Sequence, residues 1–67
     1  MPIVRVQIAK GRSAEEKQAL MTAITDAIQS AIGAPLHTIH VMVQEIPEAD
    51  IMVGGVLLRD KSSTDKI

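Results

Sequence analysis

Apolar and polar positions alternate from the start of the chain. In residues 2–8, Pro2, Val4, Val6 and Ile8 share one face, and Ile3, Arg5 and Gln7 the other. A period of two with β-branched residues predicts a strand. Lys10-Gly11-Arg12 then reads as a turn. After it the period changes. Leu20, Ile24, Ala27, Ile28 and Ala31 recur at helical spacing, which predicts an amphipathic helix over residues 14–32. Ser13 supplies the N-cap, and Glu16, three residues on, completes a capping box. Glu15 and Glu16 suit the positive end of the helix dipole. Gly33 fits the position just past the helix, and Pro35 blocks its continuation.

Alternation returns in residues 38–45. Ile39, Val41 and Val43 form one face, and Thr38, His40, Met42 and Gln44 the other. Pro47 ends this second strand. Residues 51–58 contain Gly54-Gly55 and predict a short hairpin or arm, and residues 60–67 read as a frayed polar tail. The chain shows no repeat, linker or second domain, so residues 1–67 are expected to be one domain.

This order is a β-α-β unit. A crossover of this length implies two parallel strands joined in the right-handed sense. The expected fold class is α/β (α+β): a single β-α-β unit with a short C-terminal hairpin or arm. The helix covers one face of the sheet. The other carries Ile3, Arg5, Gln7, His40, Met42 and Gln44. A two-stranded sheet bare on one side is not expected to be stable alone, so this face predicts an assembly surface.

Composition strengthens that expectation. The chain has 67 residues, no Cys, and no Phe, Trp or Tyr, yet 46% of it is apolar. A chain this short buries only roughly 60% of its unfolded surface. Disulfides and thiolate metal sites are excluded as supports. So much aliphatic surface predicts an oligomer. The net charge of −1 gives no attraction to nucleic acid, and no aromatic platform exists for stacking bases. No apolar run approaches the ~20 residues of a membrane span. No signal peptide is evident, and a cytoplasmic address is the default expectation.

Few residues offer chemistry. Initiator Met is normally removed when a small residue follows it, and Pro2 qualifies. Its removal would leave a secondary amine able to act as a base or nucleophile. A Pro after Met also serves simply to protect a terminus. Arg12, at a helix N-terminus, can take a carboxylate in bidentate fashion, or it is a solvated turn residue. Pro2 and Arg12 lie at opposite ends of the first strand, on the order of 20 Å apart. They can meet only across a subunit boundary. His40 falls near the Pro2 end and faces the assembly surface, as an interface residue or a catalytic one. His37 and His40 point to opposite faces of a strand, so no shared metal site is expected. Arg5 and Arg59 read as structural. Glu45, Glu48 and Asp50, around Pro47, read as a solvated loop, with a carboxylate pair for acid–base work as the alternative.

With Pro2, Gly11-Arg12-Ser13, the helix, Ala34-Pro35-Leu36 and Gly54-Gly55 in these places, the chain resembles the 4-oxalocrotonate tautomerase family over nearly its whole length. The resemblance implies a β-α-β protomer assembled as a homo-hexamer, a trimer of dimers. It implies enzymes of aromatic catabolism that need no cofactor and no metal. Pro2, freed of Met1, would be the catalytic base. It would take the hydroxyl proton of an enol or dienol of a 2-oxo acid and return it at a distant carbon. Arg12 would bind the substrate's far carboxylate. Two positions depart from the family. His40 stands where a second arginine contacts the 2-oxo end, and Ile51 stands where a Phe forms the wall of the site. Histidine titrates near neutrality, so carbonyl polarisation would become pH-dependent. Ile51, Val53 and Ala9 are the apolar wall residues that the resemblance implies. Burial among them, and a neighbouring Arg12, would lower the pKa of the prolyl amine from the usual α-amino range of about 7.7–8.0. A non-catalytic partner subunit of a mixed hexamer, or a related dehalogenase or decarboxylase, are the alternative functions.

Overall fold

The computed structural model describes residues 1–61. Strand β1 (Ile3–Ala9) leads into helix α1 (Ala14–Ile32), a 3-10 turn (Leu36–Thr38) and strand β2 (His40–Ile46). A second 3-10 turn (Glu48–Asp50) precedes the short strands β3 (Met52–Val53) and β4 (Val56–Leu57) and helix α2 (Leu58–Lys61). The paired strands β1 and β2 run parallel, from Ile3↔His40 to Ala9↔Ile46. This is the expected β-α-β unit.

Helix α1 has its predicted bounds for local reasons. The Ser13 hydroxyl accepts from the Glu16 amide at 3.0 Å, and the Glu16 carboxylate accepts from the Ser13 amide at 2.9 Å. Two amides that the helix cannot pair internally are thereby satisfied. At the other end Gly33 turns left-handed, with φ of 67°, and its N–H donates to the Gln29 carbonyl at 2.9 Å. Pro35 then prevents further helix.

Strand β2 starts two residues later than the alternation predicts. The Thr38 hydroxyl and amide both donate to the Pro35 carbonyl, at 2.7 and 2.9 Å. That local closure holds residues 36–38, including His37, in a 3-10 turn. The hairpin is present and its loop is Gly54-Gly55, both with positive φ, as a two-residue turn between twisted strands requires. Residues Leu58–Lys61 form a short helical turn that overlaps the start of the expected tail. The rest of the expected tail, residues 62–67, lies outside the described residues.

The helix and sheet meet on one face. Val4, Val6, Ile8, Val41 and Val43 are half-buried, as are Leu20, Met21, Ile24, Thr25 and Ile28 of α1. Ala27 and Ala31, expected in the stripe, are exposed. Met21 and Thr25 take their places, and Lys17 extends the face one turn toward the N-terminus. The opposite face of the sheet alternates as predicted: Ile3, Arg5, Gln7, His40, Met42 and Gln44 are all exposed. Among the described residues no hydrophobic side chain is fully buried, while Ile3 is 58% and Met52 61% exposed. Full burial of a Leu or Ile stabilises by about 1.5–3 kcal/mol, and no side chain here reaches that limit within one protomer. Among the described residues no helix is long and apolar enough to cross a membrane.

Candidate active site

Proline has no N–H, so Pro2 contributes only its carbonyl to the sheet. The His40 amide donates to that carbonyl at 3.0 Å. This bond sits one step before the Ile3↔His40 pair and fixes the head of β1 to the head of β2. Pro2 is half-buried, and Met1 projects beyond it, 79% exposed. The His40 side chain is exposed on the face away from α1. The structure therefore brings Pro2 and His40 to the same end of the sheet.

Arg12 lies at the other end, in the turn between β1 and α1. Seven strand residues separate the two ends. At ~3.3 Å per residue this puts Arg12 on the order of 20 Å from Pro2. Ile8, Ala9, Arg12, Glu16, Lys17 and Leu20 line an open groove of about 500 Å³. Its floor is aliphatic and its rim carries two cations and one carboxylate. The Arg12 guanidinium approaches Glu16 at 3.8 Å, and both side chains are more than half exposed. The backbone N–H of Ser13 holds the Glu16 carboxyl below its ordinary value of 4.5, against a smaller opposing effect of desolvation, and Arg12 adds to the lowering.

Lys17 is engaged elsewhere. Its ammonium donates to Glu45 Oε1 at 2.8 Å, tying α1 to β2. That bond lowers the Glu45 pKa against desolvation, with further help from the Lys17 charge, the Gly11 backbone and Lys10. Glu45 is therefore no solvated loop residue. It is a half-buried strand residue whose side chain turns toward the helix. The sequence carried a signal for this pair. Glu45 is in phase with Val41 and Val43, and Lys17 is in phase with Leu20, Ile24 and Ile28. Opposite charges on two inward faces can meet.

Ile51 and Val53 belong to the hairpin that follows β2. Ile51 is half-buried, and its carbonyl accepts from the Leu58 amide at 2.8 Å. Val53 is 45% exposed. Thus Pro2 and His40 occupy one end of the sheet, Arg12 the other, and Ile51 and Val53 an appendage. A second open groove, also about 500 Å³, crosses the uncovered sheet between Arg5, Gln7, Met42 and Gln44. Gln7 donates to Gln44 there at 3.1 Å. Among the described residues no group of three or more His, Asp or Glu is placed to hold a metal ion.

Residues 2–61 match the family described as "Tautomerase enzyme". A protein of Listeria innocua named as a probable tautomerase is 40% identical over 60 residues, covering 90% of this chain and 98% of its own. The 2-hydroxymuconate tautomerase of Stutzerimonas stutzeri is 36% identical over 55 residues, covering 82% of this chain and 87% of its own. Among solved structures, TomN, a 4-oxalocrotonate tautomerase homologue of the tomaymycin biosynthetic pathway, superposes with a TM-score of 0.88 at 33% identity. That match covers 94% of this chain and 97% of TomN.

Proposed function

The chain belongs to the tautomerase family, as a keto–enol isomerase of the 4-oxalocrotonate tautomerase type, and on that premise we propose that Pro2, freed of Met1, is its base. The observation that carries this reading is the bond from the His40 amide to the Pro2 carbonyl. It fixes the ring through its carbonyl. The nitrogen is then free of any role in the ladder and becomes a positioned secondary amine once Met1 is cleaved.

In the proposed reaction the amine takes the hydroxyl proton of an enol or dienol of a 2-oxo acid. The oxygen lone pair forms the ketone, the double bonds shift along the chain, and the prolinium returns the proton at the remote carbon. Atoms and charge balance without a cofactor. Arg12 receives the remote carboxylate and draws electron density toward it. His40 stands beside the 2-oxo end. Ile51, Val53 and Ala9 form apolar walls that disfavour the prolinium relative to the free amine. Such general-base catalysis contributes about 10²–10⁴-fold.

Because Pro2 and Arg12 stand at opposite ends of β1, the site we propose is shared between chains. Its family is usually oligomeric. A homo-hexamer built on the uncovered sheet face would bury Ile3 and Met42 and bring one chain's Pro2 to another's Arg12. The whole chain would then act as one domain, in the cytoplasm.

The test is steady-state kinetics on Met-free protein with 2-hydroxymuconate and phenylenolpyruvate. Pro2→Ala is expected to lower kcat/KM by about 10²-fold or more, with a remnant from the free Ala amine. Full activity in Pro2→Ala would overturn the assignment.

A further inference from the structure

The two oxygens of Glu16 face different groups. Oε1 accepts from the Ser13 backbone N–H at 2.9 Å, as part of the capping box. Oε2 lies 3.8 Å from Nη1 of Arg12. The device that starts the helix therefore also fixes an anion in front of the guanidinium. An exposed pair of this kind is weak, partly because two long side chains must be ordered. Here the carboxylate is already ordered by Ser13. Lys17 does not offset the charge of Glu16, because its ammonium is committed to Glu45 at 2.8 Å. With its pKa lowered, Glu16 is ionised at neutral pH.

A carboxylate arriving at Arg12 thus meets a resident one. We propose that Glu16 is a specificity-determining residue that tempers Arg12 against substrates carrying a second carboxylate remote from the enol. This rests on the reading of Arg12 as the ligand of that carboxylate. Glu16 acts through Arg12 and through repulsion of the incoming charge, and it touches no reacting atom. It biases the enzyme toward substrates whose remote end is neutral, such as an aryl enol.

Glu16→Gln separates the two roles, since the Gln carbonyl can still accept from Ser13. The readout is the ratio of kcat/KM for 2-hydroxymuconate, charged at both ends, to that for phenylenolpyruvate, charged at one. In Glu16→Gln this ratio is expected to rise about two- to fivefold, the scale of an exposed ion pair, mainly through a lower KM for the dicarboxylate. The gain should shrink as salt is raised. Glu15→Gln removes an equal charge from the same helical turn but from a residue without an ion pair to Arg12, and should leave the ratio unmoved. An unchanged or lower ratio in Glu16→Gln, or an equal rise in Glu15→Gln, overturns the proposal. The underlying reading fails differently: Arg12→Ala would then leave the KM for 2-hydroxymuconate at its wild-type value, and the proposal falls with it.

Discussion

The His40 amide donates to the Pro2 carbonyl at 3.0 Å, so the residue bearing the proposed base and the one proposed to stand in for the family's second arginine are joined at the head of the sheet. The exposed His40 side chain stands beside the proposed 2-oxo end of the substrate. Replacing it by a permanent cation should strengthen binding of that end. His40→Arg is expected to raise kcat/KM by about tenfold for 2-hydroxymuconate and phenylenolpyruvate alike, since both carry the same 2-oxo end, on the scale of one charge-assisted hydrogen bond. Steady-state kinetics on both substrates provide the check. Unchanged kcat/KM for both substrates would mark His40 as an interface residue only.

Separation of Pro2 from Arg12 by the length of β1 makes a second prediction. Pro2→Ala and Arg12→Ala should each be impaired alone, yet complement when unfolded together and refolded. Random mixing of two chains in a symmetric assembly would restore about one quarter of the shared sites. Mixed protein no more active than the sum of the separate variants would overturn the shared site.

The ends of α1 give stability predictions. Ser13→Ala removes a capping hydroxyl and should cost about 1 kcal/mol. Gly33→Ala forces a side chain into the left-handed region at φ of 67°, although nothing lies within 4 Å of the added carbon. Its cost is therefore conformational, about 1–2 kcal/mol. Each should lower Tm by several degrees, on the scale of about 4–8 °C per kcal/mol for a domain of this size. Thermal melts at a fixed protein concentration test both, since an oligomer's Tm also depends on concentration.

Acid should destabilise the fold through Glu45 and Glu16. Both carboxyls lie below the ordinary 4.5 when folded, Glu45 chiefly through its bond from Lys17 and Glu16 chiefly through the Ser13 amide. A depressed folded pKa means the unfolded chain binds protons first. The contribution is complete above about pH 4.5 and is lost as pH falls through the folded value. Tm should therefore drop on acidification below pH 4.5. Glu45→Gln should lower Tm at pH 7 and flatten that acid limb. An acid limb as steep as wild type would show that Glu45 has no part in it.

Local signals made much of this legible. The alternation of Val4, Val6 and Ile8, the Ser13–Glu16 box and Gly33 each act over a few residues, so the sequence pattern and the folded element agree. The turn at 36–38 escaped because Thr38 can continue an alternating pattern and can equally bond back to Pro35. The Lys17–Glu45 tie joins residues far apart in the chain, and only the parallel register brings them together. Of the site, the residue types and the ends of the sheet they occupy were legible. The meeting of Pro2 with Arg12 that we propose lies between chains, beyond the register of one protomer.

Met1 stands clear of the first rung, 79% exposed, while Pro2 is already fixed by His40. The proposed role of Pro2 requires the bond after Met1 to be cut, and a terminus folded into a shared pocket would be closed to an aminopeptidase. On the proposed assembly, maturation has an order in time: trimming first, association second. Chains that associate too early would be locked as blocked, silent sites. The fraction of Met1 retained, read by mass spectrometry, should then rise when synthesis outpaces trimming, and active sites per chain should fall in step.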